Sequence, residues 1–280
     1  MSADIDVLIC VGSADIHRLM SSSVKSCLRH FEPLGNIYIV SNAVSEVRLE
    51  LERQDLRSPT VAITVIDDRE ILSPKLMALP GWCRQQIIRL RIDQICSTSL
   101  AASLSADTVL CRPVTRTDLF EGASPILYFN RYQHTSSHLD YERRRVRNVA
   151  QLLRVEPVRS LPLGDFIMDL KLLEASHLRL LRDYLNDIYG DEAFLHILPQ
   201  RCESLEDKVT FGEWTLYAVF LLDVLRVDVP IRNSHNRFIT QIHSERELAL
   251  FRDDAHVVHF VDKSLDLTRI TPLLAKWGVA

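Results

Sequence analysis

The chain has 280 residues, of which 47% are hydrophobic and 25% charged, enough apolar content to fill a sizeable core. A net charge of −4 and a pI near 6.2 argue against a surface built for general nucleic-acid binding, so no nucleic acid is expected as a partner. No stretch approaches the roughly 18 consecutive apolar residues of a membrane span, and Met1–Asp6 lacks the basic segment and apolar run of a signal peptide. The six cysteines (Cys10, Cys27, Cys83, Cys96, Cys111, Cys202) are scattered, with no C-x-x-C pair. Free thiols and a reducing, cytoplasmic setting are therefore expected, rather than disulfides or a zinc site.

Ile5 to Val11 is a short apolar run ending at Gly12-Ser13, which predicts a buried strand. Asp15 is placed to cap a helix along which Ile16, Leu19, Met20, Val24, Cys27, Leu28 and Phe31 recur at helical spacing. Pro33-Leu34-Gly35 breaks it, and Asn36 to Ser41 reads as the next strand. Strand, helix, strand in this order is the signature of a βαβ unit and a parallel sheet. Val61 to Ile66 predicts a third strand, ending in Asp67-Asp68. Ligands of open α/β sheets bind at the carboxyl ends of the strands, so Val11-Gly12, Ser41-Asn42 and Asp67-Asp68 are expected along one rim.

Gly81 to Leu90 opens a helix with Gln85 and Arg89 one turn apart on one side and Ile88, Ile92 and Ile95 on another. Ser105 to Pro113 reads as the edge of a sheet, with β-branched Thr108-Val109 after Asp107. Further on, Ile126–Asn130 predicts a strand and Glu142–Leu153 an arginine-rich helix. His177–Tyr189 and Trp214–Leu225 predict helices, the second apolar on most sides, and Val257–Val261 a late strand. With no internal repeat or low-complexity linker, residues 1–280 are expected to form one domain. Its halves would be 1–115 and 116–280, which the family resemblance described next implies to be a nucleotide-binding and an acceptor-binding half.

Three segments carry a family resemblance. The helix with Gln85, Gln86 and Arg89, followed by Ser105-Ala106-Asp107, resembles the centre of GT-A-type glycosyltransferases, where such a helix precedes a strand ending in Asp-x-Asp. His259-Phe260-Val261-Asp262-Lys263 is similar to the H-F-x-x-K segment of lipopolysaccharide and glycogenin-like glycosyltransferases. Phe211-Gly212-Glu213-Trp214-Thr215-Leu216-Tyr217 resembles an F-S-E-Y/W-x-L-Y segment of a poorly characterised bacterial group of the same type.

The resemblance implies an α/β fold, a GT-A-like, Rossmann-type mixed sheet flanked by helices, with a helical elaboration in the second half. It implies a glycosyltransferase moving a sugar from a nucleotide diphosphate, UDP above all, to a soluble acceptor. Val11, Asp67, Asp68, Gln85, Gln86, Arg89, Ser105 and Lys263 would bind the nucleotide sugar. Asp107 and His259 would hold Mn or Mg, and Glu213 would be the catalytic carboxylate on the acceptor side.

Each residue also has a plainer reading. Asp107 fits a turn at a strand end, Asp67-Asp68 an ordinary turn, Gln85 and Arg89 a solvated helix face, and Glu213 a first-turn acid favoured by the helix dipole. Ser105 stands where the family has its first Asp, which leaves open a catalytically degenerate relative that binds nucleotide or serves as a partner protein. A sugar nucleotidyltransferase is disfavoured, because Gly12 is a lone glycine with no Gly-rich loop after the first strand.

Overall fold

The computed structural model describes residues 4–130, 136–167, 170–197, 211–234, 239–242, 244–250, 255–260 and 265–280. In the first half the chain runs through β1 (Ile5–Val11), α1 (Ser21–His30), β2 (Leu34–Ser41), α2 (Val44–Arg53), β3 (Ile63–Asp67), α3 (Gly81–Arg89), β4 (Leu100–Ser105) and β5 (Thr108–Leu110). There follow β6 (Leu127–Phe129), α4 (Ser136–Leu152), β7 (Leu170–Glu174), α5 (Ala175–Tyr189) and α6 (Glu213–Val219). Last come β8 (Ile231–Asn233), β9 (Ile239–Ile242), β10 (Val257–Phe260) and α7 (Leu267–Lys276).

The main sheet has the order β3-β2-β1-β4-β7, parallel except for antiparallel β7 at its edge. A second sheet joins β9, β10 and β5, with β10 antiparallel to β5. The architecture is the expected mixed α/β sheet flanked by helices. Successive side chains of a strand point to opposite faces, and β1 is buried on both. Leu8 and Cys10 pack with α3, α5 and α6 on one side, whereas Val7, Ile9 and Val11 pack with α1 and α2 on the other.

The amino end of the sheet is tied by Asp6, whose side chain is wholly buried. One of its oxygens accepts from the Asn36 amide at 2.8 Å. The other accepts from the Ser97 amide at 2.8 Å, the Ser97 hydroxyl at 2.9 Å and the Thr98 amide at 3.1 Å. The entries to β2 and β4 are thereby fixed against β1. Gly35 is required beside it, since a Cβ there would lie 2.6 Å from the Asp6 carboxylate.

The structure departs from expectation at several elements. The helix predicted through Ile95 stops at Arg89 and resumes as a single turn over Ile92–Ile95. The helix after Asp15 begins with a wide, π-helical turn over Ile16–Met20. β7 was not anticipated. Cys83 is disulfide-bonded, whereas Cys10, Cys27, Cys96 and Cys111 are free and buried. The cysteines thus give no argument for a reducing compartment; Cys202 lies outside the described residues. Among the described residues no helix is long and apolar enough to cross a membrane.

β7 also places Lys171 in the core, opposite Ser103 of β4 and only 3% exposed. Its ammonium donates to the Phe166 carbonyl at 3.2 Å and stands 5.5 Å from the Phe166 ring centroid. Burial pushes its pKa down to about 7, against the opposing pull of Asp165 and Glu213.

Two stability measurements test this account. Asp6→Ala removes the acceptor of three backbone amides, and at about 1–3 kcal/mol for each buried group left unsatisfied urea unfolding should show a loss of roughly 3 kcal/mol or more. Lys171→Met should stabilise the protein in a pH-dependent way. The folded pKa lies below the unfolded one, so the unfolded chain binds more protons between about pH 7 and about pH 10.4. Wild-type stability therefore rises with pH across that window. The advantage of Lys171→Met in thermal unfolding should be greatest near pH 6, on the order of 4 kcal/mol at about 1.4 kcal/mol for each pKa unit, and should fade towards pH 10.

Candidate functional site

The carboxyl ends of β1, β2 and β4 open on the same rim. Val11, Gly12, Ser41 and Asn42 line a cavity of about 220 Å³ there, closed on its other side by Asp68, Gly81, Arg84, Gln85 and Ile88. Val11, Asp68 and Gln85, three of the residues expected to bind nucleotide, thus meet in one cavity. Gln85 reaches the Gly12 turn, its Nε2 lying 3.9 Å from where a Gly12 Cβ would stand.

The two neighbouring aspartates serve different ends. Asp67 pairs with Ser41 across the β2–β3 ladder, then caps the short helical turn over Asp68–Ile71 in a reciprocal box with Glu70. Arg69 grips it through two bonds of 2.8 and 2.5 Å and holds its carboxyl down to about 2. Asp67 does not line the cavity. Asp68 does, where it accepts from Arg84 Nη1 at 2.8 Å. Burial raises its pKa, and the Arg84 charge opposes that rise. Arg84 escaped the sequence reading, although Arg84, Gln85 and Ile88 share one side of α3 and a cation beside a carboxylate at a strand rim was a usable signal.

Gln86 and Arg89 turn inward instead, at 1% and 8% exposure. Both hold the start of α6. The Gln86 side-chain carbonyl accepts from the Glu213 amide at 3.1 Å. Arg89 Nη1 donates to Glu213 Oε1 at 2.6 Å, and Nη2 donates to Ser105 Oγ at 3.1 Å. The guanidinium lies 4.9 Å from the Trp214 ring centroid, within range of a cation–π contact. Ser105 neighbours Cys10 in the β1–β4 ladder. Burial pushes the Cys10 thiol up to about 11, with Arg89 opposing. Glu213, expected as the catalytic carboxylate, is buried and engaged by Arg89.

Gly212, the residue before α6, allows this docking. A Cβ there would come within 2.4 Å of the Ile167 side chain and 3.4 Å of that of Arg145. Arg145 in turn pairs with buried Asp165 at 2.5 Å, and both Asp165 backbone groups bond Asn130 at 2.8 Å. In the sequence Asn130 reads as the end of a strand and Arg145 as one of several arginines on a helix, and nothing points to Asp165.

After Ser105 the chain leaves the main sheet through Ala106-Asp107 and enters β5. The β5–β10 ladder pairs Thr108 with His259, and the Phe260 amide donates to the Asp107 carbonyl at 3.1 Å. The Asp107 carboxylate and His259 Nε2 come within 3.2 Å of each other, each side chain about one-sixth exposed or less. Two ligands on adjacent octahedral positions of one ion, at bonds of roughly 2.1 Å, stand about 3 Å apart. The donor pair therefore fits a shared divalent cation. Among the described residues no group of three or more His, Cys, Asp or Glu side chains is placed to hold a metal ion, so this chain would leave most coordination positions to phosphate and water. Lys263 lies outside the described residues.

No curated protein matches the chain in sequence. Among solved structures, the apo form of mouse xyloside xylosyltransferase 1 superposes with a TM-score of 0.55 at 11% identity, over 94% of this chain and 99% of that one. At that identity the likeness is one of fold, a GT-A-like glycosyltransferase fold. A family model described as a family of unknown function, DUF6492, matches residues 13–259. The chain therefore belongs to the DUF6492 family.

Proposed function

We propose that this protein is a glycosyltransferase that takes a sugar from a nucleotide diphosphate, UDP above all, and delivers it to a soluble acceptor. The observation that carries the reading is the approach of Asp107 to His259 within 3.2 Å, at the sheet end where Val11, Gly12, Asp68 and Gln85 line a cavity. The fold likeness to a xylosyltransferase supports it.

In this reading the cavity takes the nucleoside, with Gln85, Asp68 and the Ser41-Asn42 turn as its polar contacts. Arg84 supplies positive charge at its edge. Asp107 and His259 would hold Mn or Mg, which when bound supplies charge stabilisation to the departing diphosphate. For His259 to ligate, Nε2 must be unprotonated. Lys263, four residues beyond His259, is proposed as a further counter-charge on the phosphate.

A second reading, a nucleotide-binding relative without transfer, draws on the Ser105 hydroxyl in place of an acid and on the enclosure of Glu213. The two readings separate on donor breakdown. A transferase hydrolyses or transfers from its nucleotide sugar in the presence of metal, and the degenerate relative binds it unchanged.

Titration calorimetry of UDP with and without Mn²⁺ tests the site. Wild type should bind in a metal-dependent manner, and Asp107→Ala and His259→Ala should each weaken that binding by about tenfold or more while keeping the wild-type fold. Arg84→Ala should weaken UDP binding and leave its dependence on Mn²⁺ concentration unchanged. Equal UDP affinity for Asp107→Ala and wild type in Mn²⁺, or undiminished wild-type binding in chelator, would exclude the metal assignment.

A further inference from the structure

A second cavity, of about 250 Å³, lies at the end of the sheet away from the nucleotide cavity, bordered by β7, α5, α6 and the chain leading into β8. Glu174 lines it and pairs with Leu100 at the start of β4. Ser105 ends that strand, roughly 17 Å away at about 3.3 Å per residue. Ile126, Leu127, Leu172, Leu221, Val227 and Val229 give the cavity aliphatic walls. Two acids, Glu174 and exposed Asp228, border it, and among the described residues no lysine or arginine does.

Glu174, His177 and Tyr217 form one polar cluster in this lining, and its bonding settles where the protons lie. The Tyr217 hydroxyl accepts from the Glu174 amide at 3.1 Å. Burial raises the pKa of this phenol, so it keeps its proton and needs an acceptor for it. His177 Nδ1, 3.4 Å away, is that acceptor. A neutral imidazole that accepts at Nδ1 carries its hydrogen at Nε2, which makes no bond to the described residues. One Glu174 oxygen accepts from the Ser176 hydroxyl at 2.5 Å. The other stands 3.5 Å from Nδ1 and receives no proton from it in this tautomer. The cluster thus offers an N–H in need of an acceptor and a carboxylate oxygen in need of a donor.

We propose that this cavity binds a small aliphatic alcohol, its hydroxyl taken between His177 and Glu174 and its hydrocarbon chain among Leu172, Leu221 and Val227. A hydroxyl both accepts and donates, so it satisfies the two groups at once. An ammonium has no lone pair for Nε2–H, and a carboxylate would meet two acids with no cation to offset them. The aliphatic walls supply the affinity, and the polar cluster selects the head group.

Three probes with one chain and different heads, 1-hexanol, hexylamine and hexanoate, test this by ligand-observed NMR at neutral pH. Wild type should bind 1-hexanol more tightly than either ion. Val227→Trp, which fills the aliphatic end, should weaken 1-hexanol about tenfold or more, the effect of two or more methylenes left uncovered. His177→Phe keeps a ring and removes the N–H. It should weaken 1-hexanol about three- to tenfold, the worth of one neutral hydrogen bond, and leave hexylamine no weaker. Equal 1-hexanol affinity in wild type and folded Val227→Trp would overturn the site. Tighter binding of hexylamine or hexanoate to wild type, or undiminished 1-hexanol binding by folded His177→Phe, would overturn the choice of an alcohol. Should Val227→Trp not fold, Val229→Phe in the same wall takes its place, with the same two outcomes.

Discussion

The contact on which the site depends is the clasp between α3 and α6. Arg89 and Gln86, three residues apart on one helix, hold the first residue of the other by its carboxylate and its amide. Neither bond is between neighbours in sequence, so each closes a long loop that carries α4, β7 and α5. Closing such a loop is costly in chain entropy, and a buried charge pair with no room to relax is a specific way to define its endpoint. Removing either partner takes a charge-assisted bond from a group that is nearly closed off from solvent. Its net contribution over an apolar contact is modest; its value is in the geometry it imposes.

That geometry divides the sheet into two ends of different character. At the amino end Asp6 satisfies the entries to β2 and β4 with four short bonds and admits no substituent at Gly35. At the carboxyl end Val11, Gly12, Ser41 and Asn42 border open space. A parallel sheet presents all its strand exits on one side, so a ligand arriving there meets turns from several strands at once. Antiparallel β7 contributes to that rim by its entry, and Ile167, shortly before it, reaches Gly212 at the start of α6.

Much of the first half was legible in the sequence, because β1, β2 and β3 are apolar runs bounded by Gly, Pro or Asp, and α1 repeats at helical spacing. β7 was not. Leu170-Lys171-Leu172-Leu173-Glu174 runs directly into a helix of the same composition, and a lysine at its second position argues against burial on both faces. The side chains of α3 were legible in kind but not in direction. Arg89 lies between Gln85 and Gln86 in rotation about the helix axis, so periodicity alone did not show which of them faces the cavity. Only Gln85 does; Gln86 and Arg89 reach α6. The pairing of Asp107 with His259, 152 residues apart, came from resemblance, since no local pattern links a turn after β4 to a strand near the other end. Arg84 was legible as a neighbour of Gln85 on one side of α3, whereas no local pattern links Asp165 to Arg145 rather than to another arginine of the same helix.

The two-residue passage from β4 to β5 has a further consequence. Ala106 and Asp107 leave no slack between the two sheets, and His259 is fixed by its ladder partner Thr108, the residue after Asp107. Side chains alternate along a strand, so sliding β10 past β5 by a single residue would point His259 to the opposite face. The nearness of carboxylate and imidazole is therefore set by the alignment of backbone hydrogen bonds, in whole steps, and cannot be tuned gradually by the side chains themselves. The apolar residues that lock the alignment, Val109 and Val258, govern the chemistry of this corner without touching it.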